Sequence, residues 1–227
     1  GLFIVADGLG GHAAGEVASQ IVVETVARFV GETLEKDRTW PVEYDPSLSY
    51  DGNRLKMALL LSDQAIAEDI RRNPERETMG STVVAGLFHG PKVTLAHVGD
   101  SRAYILGPDG IRQVTRDHSW VAEQVANGIL TPSEARVHPF RNVITQALGN
   151  GGELDVELQD FELSKSERLL LCSDGLSGMI GDKQIWDIVV QASDEQHAVE
   201  SLISAARDHG GEDNITAVLV GWEPEEG

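Results

Sequence analysis

The 227 residues include 41% apolar side chains, enough for one large domain or two small ones with an ordinary buried core, which excludes a disulfide-stapled mini-protein. Eighteen Lys and Arg against 37 Asp and Glu leave a formal charge of −19; such a surface repels phosphate backbones and anionic membranes, so nucleic acid is excluded as a partner of a basic face. The one cysteine, Cys172, ends the apolar run Leu169-Leu170-Leu171-Cys172 and reads as a buried thiol in a reducing compartment. No apolar stretch has the length of a membrane span and no basic-then-apolar signal segment opens the chain, so the expected location is the cytoplasm.

Gly1 to Ala6 is a continuous apolar run that reads as a strand buried on both faces, and because a domain seldom begins inside its own core, an upstream strand is expected to be missing. After the turn Asp7-Gly8-Leu9-Gly10-Gly11, the spacing of Val17, Ile21, Val22, Thr25, Val26 and Phe29 predicts a helix over 13–34. Residues 37–53 keep neither period and read as a long surface loop. Leu55, Ala58, Leu59, Ser62, Ala65 and Ile66 predict a second helix over 54–72, stopped by Asn73-Pro74.

Apolar runs at 83–88 and 93–98, joined by His89-Gly90-Pro91-Lys92, predict a hairpin, and 103–106 with 111–114 repeats it, so the four read as a meander. Between Arg116 and Gly149 apolar density falls and short helical pieces appear, Thr131-Pro132-Ser133-Glu134 supplying one helix start; this is a flap-like excursion. Strands at 154–163 and 168–172, helices at 182–191 and 195–208, a strand at 214–222 and an acidic tail at 223–227 complete the chain. Helices early and late around antiparallel strands give the class α+β.

Four aspartates stand at the ends of apolar strands: Asp7, Asp100, Asp174 and Asp213. Any one of them is an ordinary turn residue. Four brought to one end of a sheet repel one another in a partly dry site unless protons or cations neutralise them, which points to a metal site. Aspartates without nearby Cys or paired His suit hard octahedral ions, Mg²⁺ or Mn²⁺, over zinc. Two such ions bridged by one carboxylate can hold a hydroxide and clamp an anionic oxygen, the arrangement for in-line hydrolysis of a phosphoester.

The segments Phe3-Ile4-Val5-Ala6-Asp7-Gly8-Leu9-Gly10-Gly11-His12, Met79-Gly80-Ser81-Thr82, Val98-Gly99-Asp100-Ser101-Arg102-Ala103-Tyr104, Cys172-Ser173-Asp174-Gly175-Leu176 and Asp213-Asn214-Ile215-Thr216 occur in that order. The series resembles the motifs of the metal-dependent protein serine/threonine phosphatases (PPM, type 2C) in their bacterial form, from the first residue to about Trp222. The resemblance implies two antiparallel sheets packed as a sandwich and flanked by helices, αββα, in a single catalytic domain over 1–227 with a flap subdomain at 117–148. It further implies a binuclear Mn²⁺ or Mg²⁺ site in which Asp7 bridges the ions, the Gly8 carbonyl binds the second, and Asp174 and Asp213 complete the first. Asp100 with Asp174 matches the pair that holds a third, weaker ion.

Three departures follow from the same alignment of motifs. The family's phosphate-gripping arginine and an acidic ligand lie upstream of the point where this sequence begins; if 1–227 were all of the protein, weak second-metal binding and poor catalysis are expected. Leu9 stands where some members have a proton-donating histidine, and Gly178 where some have a further ligand for the third ion.

Other candidates have bland accounts beside functional ones. His12 is a proton-transfer candidate or a helix-start residue, Arg102 a phosphate contact or the partner of a neighbouring carboxylate, and Asn214 a hydrogen-bonding neighbour of the Asp213 loop. His97 reads as a hydrogen-bonded core residue, His118 as a site-bordering residue or part of a polar helix start, and Ser81 and Thr82 as close packing. The expectation is a phosphoprotein phosphatase acting on phosphoserine and phosphothreonine in signalling, with a phosphorylated protein as substrate and a cognate Ser/Thr kinase. The alternatives are a non-catalytic metal- or phosphopeptide-binding module on the same fold, or a phosphatase dedicated to one regulatory protein. Nothing in the residues sets the oligomeric state.

Overall fold

The computed structural model describes residues 1–34, 44–211 and 213–222. In chain order the elements are β1 (Leu2–Val5), β2 (Gly8–Leu9), α1 (His12–Leu34), α2 (Tyr50–Arg72), β3 (Gly80–Ser81), β4 (Val83–His89), β5 (Lys92–Val98), β6 (Arg102–Gly107), β7 (Gly110–Gln113), α3 (Trp120–Ala126), α4 (Pro132–Val137), β8 (Glu157–Glu162), β9 (Arg168–Cys172), α5 (Asp174–Ser177), α6 (Asp182–Gln191), α7 (Glu195–Asp208) and β10 (Ala217–Gly221). They divide into two units, Gly1–Val98 with Ala147–Glu162, and Gly99–Gln146 with Leu163–Gly227.

In the first unit an antiparallel sheet runs β1-β4-β5-β8. Its apolar strands β4 and β5 are in register Val83↔Val98 to His89↔Lys92, so Val83, Ala85 and Leu87 share one face. That face packs on Ala18, Val22, Val26 and Val30 of α1, spaced one turn apart, and on Leu55, Ala58, Leu59 and Ile66 of α2. The second unit repeats the scheme: its antiparallel sheet runs β10-β9-β6-β7. Tyr104, Leu106, Leu170 and Cys172 there pack with Ile185 and Val189 of α6 and Ala198, Leu202 and Ala206 of α7. The chain is thus α+β, with two antiparallel sheets each carrying helices.

Several boundaries differ from the sequence reading, each for a local reason. The second helix begins at Tyr50 instead of 54, because Ser49 caps it by accepting from Gly52 N at 2.9 Å. Its first turn buries Asn53, which binds the preceding loop through Asp45 N and the Asp45 carbonyl, both at 2.8 Å. A buried polar turn of this kind hides the apolar period. Of the expected loop at 37–53, residues 37–43 lie outside the described residues, as does the tail at 223–227. Both hairpins form, but β5 pairs onward with β8 and β6 with β9, so the four strands are not a meander. The break is at Gly99, whose φ of +105° suits glycine and turns the chain out of the first sheet. The closing strand is shorter than expected, spanning Ala217–Gly221. The one-turn helix α5, too short to show a helical period in the sequence, follows β9 directly.

Candidate metal centre

In the first unit Asp7 follows β1, and its backbone carbonyl is held by Thr82 N at 2.8 Å and Ser81 Oγ at 3.0 Å. Ser81 and Thr82 are buried and serve this packing. Gly8 opens β2 opposite Ser81, and a Cβ on it would stand 2.0 Å from the Gly15 carbonyl oxygen. Only glycine lets α1 approach the Asp7–Gly8 backbone so closely, so the Asp-Gly pair is enforced by packing as well as by any ligand role. His12 is the first residue of α1. His97 is buried on β5 with Nε2 3.9 Å from Glu157 Oε2 on β8, a core position as expected.

In the second unit the ends of β9 and β10 bring the Asp174 and Asp213 segments side by side. Cys172 pairs with Ala217. Ser173, the next residue, donates through Oγ to the Asn214 carbonyl at 3.0 Å and accepts from Thr216 N at 3.0 Å. A Cβ on Gly175 would meet the Asn214 carbonyl oxygen at 2.2 Å, so this junction too requires glycine. Asp174 opens α5 with its Oδ1 buried, whereas Asp213 is exposed and accepts from Asn214 N at 2.7 Å. Asn214 thereby contributes its backbone to the Asp213 turn.

Asp100 is 8% exposed in the connection between β5 and β6. Burial, followed by the charges of Asp174 and Asp117, pushes its carboxyl up to about 7, against the weaker opposing pull of Arg102. Arg102 does not face outward as a phosphate contact would: its guanidinium forks onto Asp117, with Nε–Oδ1 at 2.9 Å and Nη2–Oδ2 at 2.6 Å, and its Nη1 donates to Tyr104 Oη at 2.9 Å. Gln113 of β7 adds a donor to Asp117 Oδ1 at 2.9 Å. Burial would lower the Arg102 pKa, but the Asp117 charge together with Tyr104 and the hydrogen bonds to both outweighs it and holds the guanidinium firmly charged. The Thr-Arg-Asp-His setting of Asp117, at the start of the expected flap, gives no sign of a bond across 15 residues to β6.

His118 is buried and precedes the α3 cap, Ser119. Ala147 and Leu148, the end of the expected flap, belong to the first unit, where Leu148 bridges Ser81. Burial drives the Cys172 thiol up to about 12, an inert core cysteine. The donor chemistry around Asp100 and Asp174 fits a hard divalent cation. Among the described residues, the carboxylates of Asp174 and Asp117 act on Asp100, and the Arg102 guanidinium beside them is engaged by Asp117. No helix of the described residues is long and apolar enough to cross a membrane.

The sequence profile of the family Protein phosphatase 2C matches residues 1–219. The serine/threonine protein phosphatase PstP of Mycobacterium tuberculosis is 37% identical over 218 residues, which cover 96% of this chain; the chain spans only 40% of that protein's length. The serine/threonine phosphatase stp of Listeria innocua is 34% identical over 227 residues, covering 96% of this chain and 83% of the relative. Among solved structures, the catalytic domain of PstP in complex with two manganese ions is similar with a TM-score of 0.80 at 36% identity, over 96% of this chain and 86% of that one. On the extent of these matches, the chain belongs to the protein phosphatase 2C family.

Proposed function

We propose that this chain is a metal-dependent serine/threonine protein phosphatase, a single catalytic domain with its flap at 117–148. The observation that carries the reading is the buried carboxylate Asp100, raised to about 7 by its burial and then by the charges of Asp174 and Asp117, in a member of this family. Two Mn²⁺ or Mg²⁺ ions are the proposed cofactors; the related PstP catalytic domain is described with two manganese ions. When bound, such ions supply Lewis acidity and an activated water for in-line hydrolysis of a phosphoester.

The chain's own residues have the tasks of holding and aiming. Asp174 and Asp213 are proposed ligands of the first ion, and the Ser173 hydrogen bonds to Asn214 and Thr216 fix the spacing of their two segments. Asp7 is the proposed bridging ligand and Gly8 offers a carbonyl, with Thr82 N and Ser81 Oγ fixing the Asp7 peptide. Asp100 joins Asp174 at a third, weaker site. Arg102 is assigned to the Asp117 ion pair instead of to substrate phosphate. The proposed substrate is a phosphorylated protein produced by a cognate Ser/Thr kinase, in the cytoplasm.

The test is hydrolysis of an aryl phosphate and of a phosphothreonine peptide by the 227-residue chain at graded Mn²⁺ and Mg²⁺, before and after chelation. Metal-dependent turnover of both, abolished in Asp174→Asn, supports the reading. Metal binding without turnover of either substrate would overturn it in favour of a non-catalytic module.

A further inference from the structure

Asp100 sits in the short connection Gly99–Arg102, and both ends of that connection are bonded to a single other segment, Asp117–His118. At one end His118 N donates to the Gly99 carbonyl at 2.9 Å, while Gly99 N donates back to His118 Nδ1 at 3.2 Å. As an acceptor Nδ1 carries no proton, so the ring proton is on Nε2. At the other end the Arg102 fork closes on Asp117, with Gln113 as a further donor.

The same two residues are the root of the flap. Ser119 caps α3, the His118 carbonyl accepts from Thr145 N at 2.8 Å, and Trp120 N donates to the Val143 carbonyl at 2.8 Å. The outgoing and returning segments of the flap are therefore closed on each other next to the residues that grip the Asp100 connection. His118 and Ser119 are buried, so water does not readily replace these bonds.

We infer that His118 is a positioning residue that locks the flap root to the Gly99–Arg102 connection, so that the flap and the Asp100 carboxylate move as one body. The inference rests on the proposed metal reading for its consequence: a cation that draws Asp100 inward pulls on the flap root through Gly99, and displacement of the flap shifts Asp100 by the same linkage. Gly99 takes φ +105°, a conformation that a residue with a side chain would adopt only with strain.

Amide hydrogen exchange on the 227-residue chain tests the lock without requiring turnover. In the metal-free protein, His118→Leu is expected to speed exchange about tenfold in both 99–102 and 119–145, the loss of roughly one buried hydrogen bond felt in both places. His118→Asn, whose side-chain oxygen can still accept from Gly99 N, should restore most of the protection. Asp117→Asn weakens the clamp at Arg102 without opening a cavity and should give the same paired pattern at smaller amplitude, a safeguard should His118→Leu not fold. Faster exchange in only one of the two segments, or no rescue by asparagine, overturns the lock.

Manganese then separates the lock from the reading on which it builds. In the wild type it should slow exchange in both segments, in Asp100→Asn in neither, and in His118→Leu in 99–102 alone. Slowing of the flap in His118→Leu as in the wild type overturns the coupling. If manganese changes exchange nowhere in the wild type, the metal reading fails, while the paired pattern in the metal-free proteins still decides the lock.

Discussion

The two units each bury charged side chains, and they balance them in opposite ways. In the first, Arg54 on α2 is almost wholly buried, and everything around it answers its charge. Asp51 one turn earlier pairs with it, the Tyr50 ring lies 4.8 Å from its guanidinium carbon, and Nε and Nη2 donate to Oγ1 and the carbonyl of Thr33. The second oxygen of Asp51 meets His89 Nε2 at 3.0 Å. In the second unit three carboxylates, Asp100, Asp117 and Asp174, influence one another, and the guanidinium of Arg102 is spent on Asp117. A buried network that only holds a fold is charge-balanced, because an uncompensated buried charge is costly. Asp100 is buried beside the charges of Asp174 and Asp117 while the Arg102 guanidinium is engaged by Asp117, and its raised carboxyl marks this corner as more than a network that holds the fold.

The sharpest way to break the comparison is to remove one charged side chain from each network. Asp174→Asn is expected to lower turnover by more than the roughly 10–100-fold typical of residues that only support metal ligands. Its folding stability without metal should be unchanged or higher, since a like charge has gone; steady-state kinetics and denaturant melts check both. Arg54→Met is expected to do the reverse, costing at most about 3 kcal/mol of stability because Asp51 is partly exposed and keeps His89, with the metal dependence of any turnover unaltered. Loss of metal dependence in Arg54→Met would mean that the two networks do not have separate tasks.

A milder test uses Asp100 itself. Its carboxyl is raised from 3.8 to about 7 in the folded chain, so the folded state holds the proton more tightly than the unfolded one. This group's contribution to stability is therefore present at about pH 4 and is lost as pH rises towards and through 7. The loss is at most about 4 kcal/mol, and smaller if the neighbouring charges relax. In chelator, the thermal midpoint of Asp100→Asn should fall less between pH 5 and pH 8 than that of the wild type. A wild-type profile parallel to that of the variant refutes the assignment of the strain to Asp100.

What the sequence conveyed and what it withheld follow the range of the interactions. Helices α6 and α7 run over Asp182–Gln191 and Glu195–Asp208, the spans that their period and flanking residues indicated. The reasons are local: Asp194 accepts from His197 N at 2.9 Å as a cap, and the buried Ala198, Leu202 and Ala206 recur every fourth residue. The placement of Asp100 and Asp174 at strand ends was equally legible, since an apolar run followed by Gly-Asp or Ser-Asp ends a strand. The exchange of sheets at Gly99 was not, because a hairpin followed by a hairpin has the same pattern whether or not the middle strands pair. The Arg102–Asp117 fork and the His118–Gly99 pair were out of reach for the same reason. They join residues 15 and 19 positions apart, with β7 intervening, and no periodicity records such a meeting.

The smallest expected effect comes from the exposed carboxylate that most contrasts with Asp100. Asp194 accepts from His197 N and meets His197 Nδ1 at 2.6 Å, and these contacts, the backbone bond foremost, lower its carboxyl to about 2. In return, the hydrogen bond to Asp194 raises the His197 imidazole above its usual 6.5. The signs are opposite, so the windows overlap: the Asp194 share of stability is lost as pH falls from 3.8 towards 2, and the His197 share is lost as pH rises through its elevated value. Both shares are full between about pH 4 and 6.5, and Asp194→Ala should lower the thermal midpoint most within that window and less at pH 8. Because both side chains are in solvent, the effect should shrink in high salt, whereas the pH response of the buried Asp100 should be much less sensitive to it. Equal salt sensitivity at the two sites would mean that Asp100 is reached by solvent ions, and the contrast between a screened cap and a buried carboxylate would be lost.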